Sequence, residues 1–145
     1  MMTIFIISCQ NKIDLNVPPE IQYGIDVCDE CGMIISEPRF SSAYITQDGS
    51  IKRFDDIGGM LLYNDEEKED VFKFWVRDYE NENWISSDLA KFIINRDITT
   101  PMGHGIIAVE DLGRAKEIAI KSDGKVMTFN EVLDHHNSMD HSDHH

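Results

Sequence analysis

Phe54-Asp55-Asp56-Ile57-Gly58 and, in the second half of the chain, Val109-Glu110-Asp111-Leu112-Gly113 carry the same order of side chains: apolar, acidic, aspartate, aliphatic, glycine. An aspartate just before an apolar run with helical spacing is an N-cap signal. The elements around the two copies also correspond. Before the first, Arg39 to Thr46 reads as a strand, Asp48-Gly49 as a turn and Ile51 to Phe54 as its hairpin partner. After it, Asp55 or Asp56 caps a helix with Ile57, Met60 and Leu61 inward, which ends in the acidic run Asn64 to Asp70. Val71 to Tyr79 follows as a β-prone strand, and the loop 80–83 closes the half. In the second half, strands are predicted at Leu89 to Asn95 and Ile106 to Val109. A helix with Leu112, Ala115, Ile118 and Ala119 inward comes next, then an Asp123-Gly124 turn and a strand at Lys125 to Phe129. Val71 and Val126 each lie fifteen residues beyond the shared aspartate. The expectation is an α+β domain over 25–134, made of two similar ββαβ halves (about 25–84 and 85–134) related by internal duplication. A lone ββαβ layer has one apolar face and needs a partner to bury it.

The composition fits one such domain: 145 residues, 41% hydrophobic and 28% charged. A formal charge of −14 argues against nucleic acid as a partner, because an acidic surface repels phosphate backbones. Met1-Met2-Thr3-Ile4-Phe5-Ile6-Ile7-Ser8-Cys9 is an apolar run ending in a small residue and a cysteine, like the tail of a bacterial lipoprotein signal. The run is short, and no lysine or arginine precedes it. On this reading residues 1–8 are signal-like and Cys9 is the lipidated residue. Residues 9–24, with Gln10, Asn11, Asn16, Pro18, Pro19 and Gly24, form a tether, and the protein works outside the cytoplasm.

Chemistry concentrates in Cys28-Asp29-Glu30-Cys31-Gly32-Met33, which places two thiols and a thioether within six residues. Thiolate and thioether sulfur are soft donors that together favour Cu(I). A Cys-x-x-Cys pair is also compatible with half a zinc site or a redox dithiol. Zinc is disfavoured because the only other cysteine, Cys9, is poorly placed to complete a ribbon, although a histidine could do so. A redox motif normally opens a helix, and Gly32 would break one here. Neither alternative has a use for Met33. A second candidate stretch is Thr99-Thr100-Pro101-Met102-Gly103-His104-Gly105, a tight exposed loop on which Met102 has little apolar surface to fill. His104 could reach the same ion or be an ordinary surface histidine. Met60 and Met127 sit at core spacing. The chain ends in a histidine-rich stretch, 135–145, which holds five of the six histidines and reads as a polar tail able to gather metal loosely.

Four motifs in order give a family resemblance over about Ile25 to Leu133. They are Cys28-x-x-Cys31-Gly32-Met33, Phe54-Asp55-Asp56-Ile57-Gly58, Trp75-Val76-Arg77-Asp78-Tyr79 with Trp84-Ile85, and Thr100-Pro101-Met102-Gly103. The chain resembles the NosL-type copper chaperones, lipoproteins that support assembly of the copper centres of nitrous oxide reductase. The resemblance implies a fold of two ββαβ halves. It also implies Cu(I) as cargo, held by Cys31 and Met102 with Met33 next, Cys28 belonging to a two-cysteine variant of the motif. The implied partners are nitrous oxide reductase and its membrane-associated maturation machinery, and the implied location is the cell envelope, periplasm-facing and lipid-anchored through Cys9. The chain would then be no enzyme. Three rival readings stay open: a thiol-disulfide redox protein using Cys28 and Cys31, a copper or zinc buffer working through the histidine tail, and an organomercurial-lyase-like enzyme. The last needs thiols distant in sequence, whereas the domain's two are adjacent in one motif.

Overall fold

The structure, a computed structural model, describes residues 12–140. The first hairpin forms where the Asp-Gly signal places it. Strand β1 (Ser42–Thr46) pairs antiparallel with β2 (Ile51–Phe54), and between them Gly49 adopts φ 88° while the Asp48 carboxylate accepts from the Ser50 amide at 3.0 Å. The sequence places the start of this strand at Arg39; Pro38–Phe40 instead form one 3-10 turn, because proline at its first position fixes a helical φ. Helix α1 (Ile57–Glu67) is capped by Asp56, whose side chain accepts from the Gly58 amide, and ends at Lys68 in the left-handed conformation. Ile57, Met60 and Leu61 are buried as their spacing requires. Strand β3 (Val71–Arg77) then pairs with the free side of β1. A short strand absent from the sequence reading, β4 (Trp84–Ser86), adds to β3 and completes a sheet of order β2-β1-β3-β4.

In the second half β5 (Lys91–Ile94) is central, with β6 (Ile106–Val109) and β7 (Lys125–Met127) antiparallel on either side and α2 (Leu112–Ser122) between them in sequence. Each half therefore runs β-β-α-β, with its first strand in the middle, its second on one side and its third on the other. Asp111 caps α2 as Asp56 caps α1, and both helices end on a left-handed residue. The inward face of α2 is narrower than its spacing suggests. Ala115 and Ala119 are buried and Ile118 is half-buried, but Leu112 is 44% exposed. Leu112, in the first turn of α2, lines a surface cleft with Asp78, Val109 and Arg114 instead of entering the core.

The main core draws on both halves: Tyr44, Phe54, Ile57, Met60, Leu61 and Val76 from the first share one cluster with Phe92, Ile106 and Ala108 from the second. A second tie is polar. Asp78, 4% exposed, accepts from the amides of Glu80 (2.8 Å), Asn81 (3.1 Å) and Glu110 (2.9 Å), while the Tyr79 amide donates to the Ala108 carbonyl at 2.8 Å. The Trp75-to-Tyr79 motif thus has an architectural use: Arg77 lies 4.0 Å from the Trp84 ring centroid and donates to the Tyr23 hydroxyl at 3.1 Å, just before Asp78 bridges the halves.

Two boundaries differ from the sequence reading. Ile21, within the expected tether, is already buried in the main core. At the other end β7 stops at Met127 and a third helix, α3 (Phe129–Asp140), runs through the start of the expected polar tail. Thr128 caps α3 by accepting from the Glu131 amide at 3.3 Å, and its hydroxyl donates to the Glu131 carboxylate at 3.2 Å. Val132 is fully buried, and Phe129 packs between Phe74 and Phe92 at 5.0 and 5.7 Å. The expected signal-like segment and the Cys9 lipidation site lie outside the described residues, as do His141, His144 and His145.

Candidate metal centre

The cysteine motif forms a closed loop rather than a helix. Val27 and Ile34 bridge antiparallel, the Cys28 amide donates to the Met33 carbonyl at 2.8 Å, and the Gly32 amide donates to the Cys28 carbonyl at 3.0 Å. Gly32 takes φ 73°, a left-handed value that returns the chain so that both cysteines face inward. The loop is fastened to β2 by paired bonds, Asp29 amide to Arg53 carbonyl (2.8 Å) and Arg53 amide to Asp29 carboxylate (2.7 Å).

This fastening sets the thiols over the entry to α1. Cys28 is 1% exposed, Cys31 is half-buried, and Asp55, the residue before the α1 cap, is buried beneath them. One ligand atom from each of Cys28, Cys31 and Asp55 lies within 4.8 Å of the other two. Both cysteines are free thiols, and the Cys31 thiol donates to the Asp55 carboxylate at 3.5 Å. Burial pushes the Cys31 thiol from its ordinary 9.0 up to about 12. The Cys28 sulfur and the Asp55 charge add to this, against a backbone hydrogen bond from Met33. The remaining Asp55 oxygen and one Glu30 carboxylate oxygen are buried with no hydrogen-bond partner among the described residues. Anionic oxygens removed from water without a donor are costly, and a cation between them and the sulfurs would offset that cost.

The second loop arrives at the same helix end. The Met102 amide donates to Asp56 at 2.9 Å, so one Asp56 oxygen caps α1 and the other holds the Met102 loop. Within that loop Gly103 and Gly105 have φ 77° and 67°, and a methyl group at Gly105 would lie 2.3 Å from the Asn95 carbonyl oxygen. The Met102 side chain is 37% exposed and Met33 is 61% exposed, whereas the thiols and the Asp55 carboxylate are buried or half-buried. His104 takes another direction. Its ring lies against Gly58, where a methyl group would come within 2.2 Å of Cγ, whereas the Glu30 carboxylate approaches the neighbouring Gly59. His104 lines a cavity with α3 instead.

The structure therefore brings Cys28 and Cys31 together, anchors the Met102 backbone beside them, leaves Met33 at the rim and turns His104 aside. It also adds Asp55. The sequence did carry a signal for it: one aspartate suffices to cap a helix, and Asp55-Asp56 supplies two.

No curated protein matches the chain. Among solved structures it is similar to the crystal structure of the copper chaperone NosL from Shewanella denitrificans, with a TM-score of 0.63 and 23% identity, over 79% of this chain and 96% of that one. At that identity the likeness establishes the fold. Residues 22–136, most of the chain and all of both sheets, match the family described as NosL, and the chain belongs to the NosL family.

Proposed function

We propose that this protein is a Cu(I) metallochaperone of the cell envelope, which carries copper for maturation of nitrous oxide reductase and releases it by ligand exchange. The observation that carries the reading is the meeting of Cys28, Cys31 and Asp55 within 4.8 Å, beside a Met102 loop tied to the same helix end. Family membership supports it, as does the likeness in fold to a copper chaperone. Thiolate and thioether ligands suit Cu(I), and thioethers survive in an oxidising compartment where thiols are lost to disulfides.

The chemistry follows from the site. At neutral pH the raised Cys31 thiol holds its proton, so Cu(I) binds as that proton leaves, and Asp55 already accepts a hydrogen bond from the departing S–H. Cys31, Met102 and Met33 are the ligands we assign, with the buried Cys28 closing the inner side. Exposed thioethers let an acceptor's Met, His or Cys enter the coordination sphere before the donor's ligands leave, so no free ion forms. Anchoring through Cys9 would hold the chaperone at the membrane near its acceptor.

The dithiol reading is weakened by the same geometry. A reactive redox cysteine needs a lowered thiol pKa and access, whereas Cys31 is raised and Cys28 is buried. Anaerobic competition titration of the reduced full chain, with Cys31→Ala and Met102→Ala alongside, tests the proposal. Tight binding of one Cu(I), weakened about tenfold or more by each substitution, is expected. Binding indifferent to Met102 would mean that the two loops do not share an ion.

A further inference from the structure

Helix α3 presents Val132, His135, His136 and Met139 at i, i+3, i+4 and i+7, one continuous stripe. Val132 is fully buried, and beyond it the stripe turns polar: three residues with nitrogen or sulfur donors line a cavity of about 270 Å³. The opposite wall is His104 with Ile94 and Ile106. His104 reaches this cavity because Gly58 has no side chain to block its ring. Arg96 also lines the space, but it is solvent-exposed, and the chain's charge of −14 leaves the surroundings attractive to cations.

We propose that His104, His135 and His136, with Met139, form a second copper site, imidazole-based and separate from the thiol pair. Imidazole nitrogen binds Cu(II) ahead of other divalent first-row ions, and an added thioether favours copper further. Among the described residues no three imidazoles converge to within 4.8 Å as Cys28, Cys31 and Asp55 do, so the set closes on an ion by rotation of side chains. The exposed His135 and Met139 have room for that rotation, while His104, against Gly58, is the fixed point. The first turn of α1 separates the two sites: Gly58 faces His104 and Gly59 faces Glu30, next to the cysteines. The fold thereby offers a nitrogen-rich site suited to Cu(II) apart from a sulfur-rich one suited to Cu(I). This inference does not depend on the thiol site binding Cu(I).

The test uses the full chain carrying Cys31→Ala, so that the thiol site is disabled, with Cu(II) added as the aqueous ion against glycine as competitor. Pulsed electron paramagnetic resonance counts the bound imidazoles. One Cu(II) with at least two imidazoles is expected. His104→Ala and the His135→Ala/His136→Ala pair should each weaken it about tenfold or more, since loss of an outer-shell partner alone costs about 10- to 100-fold. His104→Asn keeps a polar side chain over Gly58 and should show the same loss; native binding in that variant would reduce His104 to a packing role and overturn the site. Replacing His141, His144 and His145 by alanine should leave the bound ion and its imidazole count in place. Copper lost with those three would assign binding to the terminal histidines, and copper unaffected by His104→Ala would remove the fixed point of the site; either result overturns the proposal.

Discussion

The entries to α1 and α2 carry one sequence pattern and have become different places. At α1, Asp55, Asp56, Gly58 and Gly59 are all buried, with the cysteine loop on one side and the Met102 loop on the other. At α2, Glu110, Asp111, Leu112 and Gly113 are all exposed, and the nearest charged partnership is a surface pair between Arg114 and Glu80. Both aspartates cap their helices, through Gly58 and Arg114 respectively. What distinguishes the ends is what the chain lays over them. A capped helix N-terminus is a local result of sequence; it becomes a candidate site only when covered by loops that exclude water and bring sulfur.

That contrast yields graded expectations. The largest concerns the caps. Asp56→Ala removes a buried cap and the anchor of Met102 together, and should cost about 3 kcal/mol in chemical unfolding and weaken Cu(I) binding. Asp111→Ala, at an exposed cap, should cost about 1 kcal/mol and leave copper affinity unchanged. Equal losses in both variants would show that burial and the Met102 bond add nothing.

Next are the two glycines. Gly58→Ala forces its new methyl against the His104 ring and should destabilise by about 1–3 kcal/mol, the usual range for overpacking. At Gly113 a methyl would meet only the Asp111 carboxylate, at 3.1 Å, and there the change should stay within about 0.5 kcal/mol. Thermal unfolding of both variants decides whether the first helix end is as tightly fitted as the distances imply.

The smallest effect per step is in pH. With Cys31 raised to about 12, its proton is still bound throughout the neutral range and must leave when Cu(I) binds, so affinity should rise about tenfold per pH unit between pH 6 and 8. In the metal-free protein the same shift has a stability consequence. A thiol whose pKa is raised on folding contributes stability that is present below its ordinary 9.0 and is lost as pH climbs toward 12. A pH-independent Cu(I) affinity would remove Cys31 from the ligand set.

Much of this molecule is written in local signals. The Asp48-Gly49 turn, the Asp56 and Asp111 caps and the Met60 spacing each act within a few residues, and each element formed where its signal stands. Misreadings arose where neighbours far along the chain decide. Strand β4 exists because β3 offers it an edge, and Leu112, at core spacing on α2, stays 44% exposed. Helix α3 did carry an N-terminal signature, Thr128-x-x-Glu131, masked by the histidine-rich composition just beyond it. At the site, the pairing of thiols and the tight Met102 loop were legible from spacing and glycines. For Asp55 only the surplus was legible, a second aspartate beside the cap; its meeting with the thiols depends on the cysteine loop being fastened to β2 by Asp29 and Arg53. His104, two residues from Met102, was left open in sequence between ligand and surface histidine; beyond the left-handed Gly103 its ring lies against Gly58.

The Asp78 junction bears on how the chain opens and closes. One buried carboxylate holds amides at Glu80 and Asn81, in its own turn, and at Glu110, thirty-two positions along the chain. Neither half can fray there without stranding that charge in the interior, and both contribute side chains to one core. The two similar halves therefore behave as one cooperative unit, not as beads on a string. An ion bound at the α1 entry would therefore stabilise both halves together, with no separate gain for the half that holds it.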